Sequence, residues 1–165
     1  MNIEEMLDIL RRRYPNFGRK VIYDVDRKGR EFAEIVYPND KNPSMPITVS
    51  ISEGGCLISV GQISHVTGER PISVEEAISA IDDIINDKIV FVLGYDDKKD
   101  SISGAPFLSE LFALSGDAND DEQELDEFVA KLRTPVKGLR RYFTSLKGRF
   151  VVSNFSGSRN EEIFR

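Results

Sequence analysis

The chain has 165 residues, 40% of them apolar, which is enough for one ordinary domain with its own core and requires no second. Its longest apolar runs, such as Ile89-Val90-Phe91-Val92-Leu93, fall far short of the roughly 20 residues that span a bilayer, so no transmembrane helix is expected. A formal net charge of −6 disfavours nucleic-acid binding over the whole surface and favours a basic or neutral protein partner.

The first residues, Met1-Asn2-Ile3-Glu4-Glu5-Met6, carry two acids where a secretory signal carries bases and then an apolar run. Cys56 is the only cysteine, which rules out an internal disulfide and suits a reducing compartment. Both point to the cytoplasm.

In chain order, a helix is predicted over about 3–13. Asn2 can cap it with Glu5 reaching back, Ile3, Met6, Leu7 and Leu10 share a face, and Pro15 stops it after Tyr14. Val21 to Val25 and Phe32 to Tyr37 are β-rich runs around Asp26-Arg27-Lys28-Gly29, whose glycine supplies the positive φ of a tight hairpin. Pro38 to Pro43 form a polar loop, and Pro43 and Pro46 delay the next strand until near Ile47.

Ile47, Val49 and Ile51 alternate with Thr48, Ser50 and Ser52, the period-2 mark of a sheet with one buried and one wet face. After the Glu53-Gly54-Gly55 turn, the returning strand places Cys56, Ile58 and Val60 inward, leaving an outer face rich in hydroxyls. Ser73 with Glu76 forms a capping box for a helix over about 74–86, with Ala77, Ile78, Ile81, Ile84 and Ile85 as its apolar stripe.

Lys88 to Tyr95 reads as a buried central strand because its apolar residues are almost continuous. Residues 106–114 fit either a strand or a packed helix, with strand preferred. From 117 to 127 the charged residues are acidic, and from 131 to 149 they are basic. That order suits the dipole of a helix over about 121–147, broken or kinked at Pro135. A last strand is expected over 150–155, followed by a flexible tail over 156–165. The expected fold is a single α+β domain over 1–155, a mostly antiparallel sheet of hairpins packed by amphipathic helices.

The chemistry-bearing residues are sparse. Gly54-Gly55 lies between two strands, so a hairpin turn is preferred to a phosphate loop. His65 is the only histidine, with no nearby partner to orient it, and one Cys with one His cannot build a structural zinc site. Cys56 falls on an inward strand face and reads as a small buried hydrophobe rather than a nucleophile. No cofactor, metal or catalytic residue is expected.

Three functional readings follow. The preferred one is an acidic protein-binding module, of bacterial immunity-, antitoxin- or chaperone-like type, that neutralises or escorts a partner. Its candidate contact residues are Asp96, Asp97, Asp100, Asp117, Asp120, Asp121, Glu122 and Glu124, whose charge would steer a basic partner, with the hydroxyl face of Thr48, Ser50, Ser52 and Ser59 as a second surface. The alternative is a small-ligand or metal-dependent enzyme using Asp96, Asp97 and Asp100 just past a strand end. The third is nucleic-acid binding through Lys137, Arg140, Arg141, Lys147 and Arg149, with Tyr142 and Phe143 among them.

Overall fold

The computed structural model describes residues 1–18, 20–95, 108–114, 119–133 and 149–164. In chain order they form α1 (Ile3–Arg13), β1 (Ile22–Val25), β2 (Glu31–Tyr37), β3 (Ile47–Ser52), β4 (Gly55–Val60), α2 (Val74–Ile85), β5 (Ile89–Tyr95), β6 (Leu108–Ala113), α3 (Asn119–Arg133), β7 (Arg149–Asn154) and β8 (Glu161–Phe164). This is an α+β fold with two antiparallel four-stranded sheets, ordered β1-β2-β3-β4 and β6-β5-β7-β8. The chain divides into two compact units, Met1–Ile85 and Asn86–Arg165, each built on one of the sheets.

In the first unit the alternation expected over 47–52 sets the inner face. Ile47, Val49 and Ile51 on β3 and Cys56, Ile58 and Val60 on β4 are fully buried, and the registers Val49↔Ile58 and Ile51↔Cys56 put them on one face. The helices pack on this sheet with the stripes their sequences carry, α1 through Met6, Leu7 and Leu10 and α2 through Ala77, Ile81 and Ile84. Burying each of the Met, Leu and Ile side chains stabilises by roughly 1.5–3 kcal/mol. Both expected capping boxes form: Asn2 with Glu5, and Ser73 with Glu76.

Where Pro15 ends α1, Tyr14 ties that helix to α2. Its hydroxyl shares its one proton between the Ile78 carbonyl at 2.9 Å and Asp82 at 2.8 Å, while Arg13 also donates to Asp82 at 2.8 Å. Tyr14, Phe17 and Tyr37 meet edge to face, with centroids 5.4–6.4 Å apart, so the chain leaving α1 is fastened to β2. The polar loop before β3 folds on itself. The Asn42 amide donates to Asn39 at 3.0 Å, the Asn39 side chain donates to the Met45 carbonyl at 3.3 Å, and both asparagines are buried.

In the second unit β5 is an inner strand, buried from Val90 to Gly94 as its continuous apolar run requires. Val90, Val92, Phe150 and Val152 form one face and receive Leu125 and Val129 of α3 and Ile163 of β8. Within the open choice over 106–114, the described residues from Leu108 to Ala113 form a strand, β6, paired with β5 from Ile89↔Ala113 to Gly94↔Leu108, and residues 106 and 107 lie outside the described residues. The helix expected over 121–147 is seen as α3 from Asn119 to Arg133; the part of that expectation from 134 to 147, with Pro135, lies outside the described residues.

The C-terminal end departs from expectation. Residues 156–164 are not a loose tail but a turn and a strand, with β8 paired to β7 from Arg149↔Phe164 to Val152↔Glu161. Asn154 organises the turn: its side chain donates to Ser158 at 2.9 Å and accepts from the Arg159 amide at 3.1 Å. The Ser156 amide donates to Asp87 at 2.8 Å, and the inward Ile163 anchors the strand.

Candidate functional site

The two edges of the first sheet are treated differently by the chain. Beyond β4, the segment from Ile63 to Ile72 closes the edge with backbone hydrogen bonds. The Cys56 amide donates to the Ile72 carbonyl at 2.8 Å, the Ile72 amide returns to Cys56 at 2.9 Å, and the Val66 amide donates to Ile58 at 2.8 Å. Gly55 permits this closure: its φ is +119° and a Cβ there would run into the Ile72 carbonyl.

β1, at the other end of the sheet, is a terminal strand exposed along its whole length. Ile22, Tyr23 and Val25 are 45%, 59% and 55% exposed, a concentration of apolar surface that a strand edge does not need for its own stability. The hairpin defines which of its backbone groups are open. The Asp26 amide donates across to the Arg30 carbonyl at 2.9 Å, and the register Val25↔Glu31 then makes every second residue outward-facing. Tyr23 and Val25 therefore direct their N–H and C=O away from β2. The Val25 amide is instead taken by the side chain of Asp24 at 2.8 Å, a carboxylate cap on the open edge.

Beside this edge lies a groove of about 940 Å³, bounded by the start of α1, the β1–β2 hairpin and the β3–β4 turn. Ile3, Tyr23 and Val25 give it apolar walls, Glu4, Glu31 and Glu53 are the acidic residues of its lining on that side, and Asp24 and Phe32 border it from the other face of the sheet. The one lining guanidinium, Arg30, is held by Asp26 at 2.6 and 2.7 Å. The Arg30 backbone amide, the Arg30 side chain and the Lys28 amide together lower the Asp26 carboxyl to about 2. Tyr23 donates to Glu4 at 2.7 Å, which raises the phenol's pKa and fixes one wall of the groove.

The second unit carries a smaller cleft, about 270 Å³, between α3, β7 and the β7–β8 turn. Its charges are matched, Arg133 with Glu161 and Arg159 with Asp126 at 3.9 Å. Internal pairing leaves this cleft with less charge to offer a ligand than the groove beside β1.

Of the residues singled out from sequence, Asp96, Asp97, Asp100 and Asp117 lie outside the described residues. Asp120, Asp121 and Glu122 fall in the first turn of α3, and Glu124 is exposed on the same helix. The hydroxyl face is where the alternation puts it: Thr48, Ser50, Ser52 and Ser59 are half-buried on the outer side, and Ser50 donates to Glu34 at 2.8 Å. Cys56 is buried, and burial pushes its thiol up to about 11, which suppresses the thiolate. His65 is exposed at a positive φ of 56°. Arg149 opens β7, stacks over the Tyr95 ring at 5.0 Å and pairs with Glu162 at 3.3 Å; Lys137, Arg140, Arg141 and Lys147 lie outside the described residues.

Sequence reasoning missed the β1 edge. The available signal was Asp24 inside a four-residue strand, since Asp is depleted in strand interiors and common where an edge is guarded. Among the described residues no group of three or more His, Cys, Asp or Glu side chains could hold a metal ion, and no helix is long and apolar enough to cross a membrane. No protein-family model matches the chain, and neither the curated proteins nor the solved structures contain a match.

Proposed function

We propose that this protein is an acidic protein-binding module of the cytoplasm, of immunity-, antitoxin- or chaperone-like type, that binds a basic partner protein and neutralises or escorts it. The reading is carried by one observation, the open apolar edge of β1 beside a groove lined by Glu4, Glu31 and Glu53 and by one already paired guanidinium, with Asp24 on the edge itself. Apolar walls supply contact area, and carboxylates around them favour cationic side chains and speed encounter with a basic surface. The net charge of −6 adds the same bias over the whole chain.

The test is affinity capture from native lysate with the wild-type chain and with a Glu31→Lys/Glu53→Lys double variant, each at low and high salt. Glu31 and Glu53 are both exposed, so folding is expected to survive the change, as circular dichroism would verify. The reading expects a stoichiometric basic protein that is retained by wild type, released at high salt and lost by the variant. Capture that is indifferent to both substitutions and to salt contradicts it.

A further inference from the structure

The mode of binding can be taken one step beyond that reading, on which it rests. We propose that the occupant of the β1 edge is an extended segment of the partner, bearing alternate Lys or Arg and apolar side chains, which adds to the first sheet as a fifth strand.

Three observations combine. The first is that the sheet's two edges are unequal: the segment 63–72 hydrogen-bonds along β4, while β1 ends the sheet with the backbone of Tyr23 and Val25 directed outward. Main-chain groups in that position are the template for strand addition. The second is the side-chain pattern. Tyr23 and Val25 share the helix-bearing face with Ala33 and open onto the groove, whereas Ile22 and Asp24 share the outer face with Glu34 and Phe32. An added strand would present alternate residues to these two rows. Those on the groove side meet apolar walls with Glu4 and Glu31 within the lining, and those on the outer side meet Ile22 and Asp24.

The third is the cap. Asp24 accepts from the Val25 amide at 2.8 Å, satisfying an edge donor in the unoccupied sheet. When an incoming strand's carbonyl takes that amide, the Asp24 carboxylate is released next to the incoming backbone and can pair with its cation. The exchange makes a cationic strand favoured over a neutral one and an acidic strand disfavoured, since a released carboxylate would face a like charge. It also opposes pairing of β1 with β1 of a second copy, which would bring two Asp24 side chains to one short ladder.

The experiment titrates the whole protein into a fluorescein-labelled ten-residue peptide of alternating lysine and valine, with alternating glutamate and valine as control, read by fluorescence anisotropy at 50 and 500 mM salt. Binding of the lysine peptide alone, weakened by salt, is expected. Val25→Pro removes one outward donor while leaving the bonds between β1 and β2 in place, and is expected to weaken binding about tenfold or more. Asp24→Ala, its fold checked by circular dichroism, is expected to weaken it by a similar factor. Failure of the lysine peptide to bind, or equal binding by wild type, Val25→Pro and Asp24→Ala, would overturn strand addition. Tighter binding by Asp24→Ala would overturn the pairing of the released Asp24 carboxylate with the incoming cation and leave Asp24 as a guard of the edge. A dimer in sedimentation that Val25→Pro abolishes would assign the edge to a second copy. If the peptide fails while lysate capture still depends on Glu31 and Glu53, strand addition falls and the binding-module reading stands; if both fail, both fall.

Discussion

Asp26 holds the β1–β2 turn by accepting from the Lys28 and Arg30 amides, at 2.8 and 3.0 Å, and from the Arg30 side chain at 2.7 Å. These bonds lower its folded pKa to about 2 from an ordinary 3.8. The stability it adds is therefore complete above about pH 4 and disappears as pH falls toward 2, because below that point the carboxyl is protonated folded or unfolded. Melting temperatures between pH 5 and 2 should fall more steeply for wild type than for Asp26→Asn, and parallel curves would contradict this. Gly55→Ala combines a positive φ with a collision against the Ile72 carbonyl, so a loss of about 1–3 kcal/mol or more is expected in urea unfolding. Cys56, buried and with its pKa raised to about 11, should react with a thiol reagent only as fast as the first unit opens. At this scale the sequence was informative where one residue type has one physical use. Asn2 and Ser73 read as caps, and Cys56 read as core. It read Gly55 as a turn glycine but did not show the approach of the Ile72 carbonyl, from a segment 17 residues further on, that also demands glycine there.

The elements were legible wherever periodicity was strong. The alternation over 47–60, the stripes of α1 and α2 and the unbroken run of β5 each translate into one buried face or a doubly buried strand. Two features were not legible. β8 looked like a tail because four residues with one buried side chain, Ile163, make no pattern, and its pairing depends on a turn built by Asn154. The open edge of β1 was not read because edge or centre is decided by the order of strands, and the one local hint, Asp24 within the strand, does not fix that order. The α1–α2 join is likewise a tertiary fact with a test. Tyr14→Phe keeps the ring's packing but removes the hydroxyl that donates to Ile78 and Asp82, and should cost about 1 kcal/mol, with faster amide exchange in α1. Ile81→Ala, by emptying a fully buried site in α2, should cost about 2–5 kcal/mol.

For the whole molecule, the fold class followed from the succession of hairpins and amphipathic helices, and the net charge pointed toward basic partners. The candidate site did not follow. Sequence drew attention to acids clustered along the chain, at 96–100 and 117–124, whereas the groove's acidic residues are Glu4, Glu31 and Glu53, which lie far apart in sequence and meet only when the first sheet and α1 are in place. A one-dimensional reading finds charge runs; a groove collects single charges from several elements.

Amide hydrogen exchange of the full chain, with and without the lysine–valine peptide, bears most directly on the claim that β1 is the binding edge. The account predicts slowed exchange at the outward amides of Tyr23 and Val25, with the closed β4 edge and the second unit unchanged. Protection confined to α3, β7 or β8, with β1 exchanging as before, would contradict it.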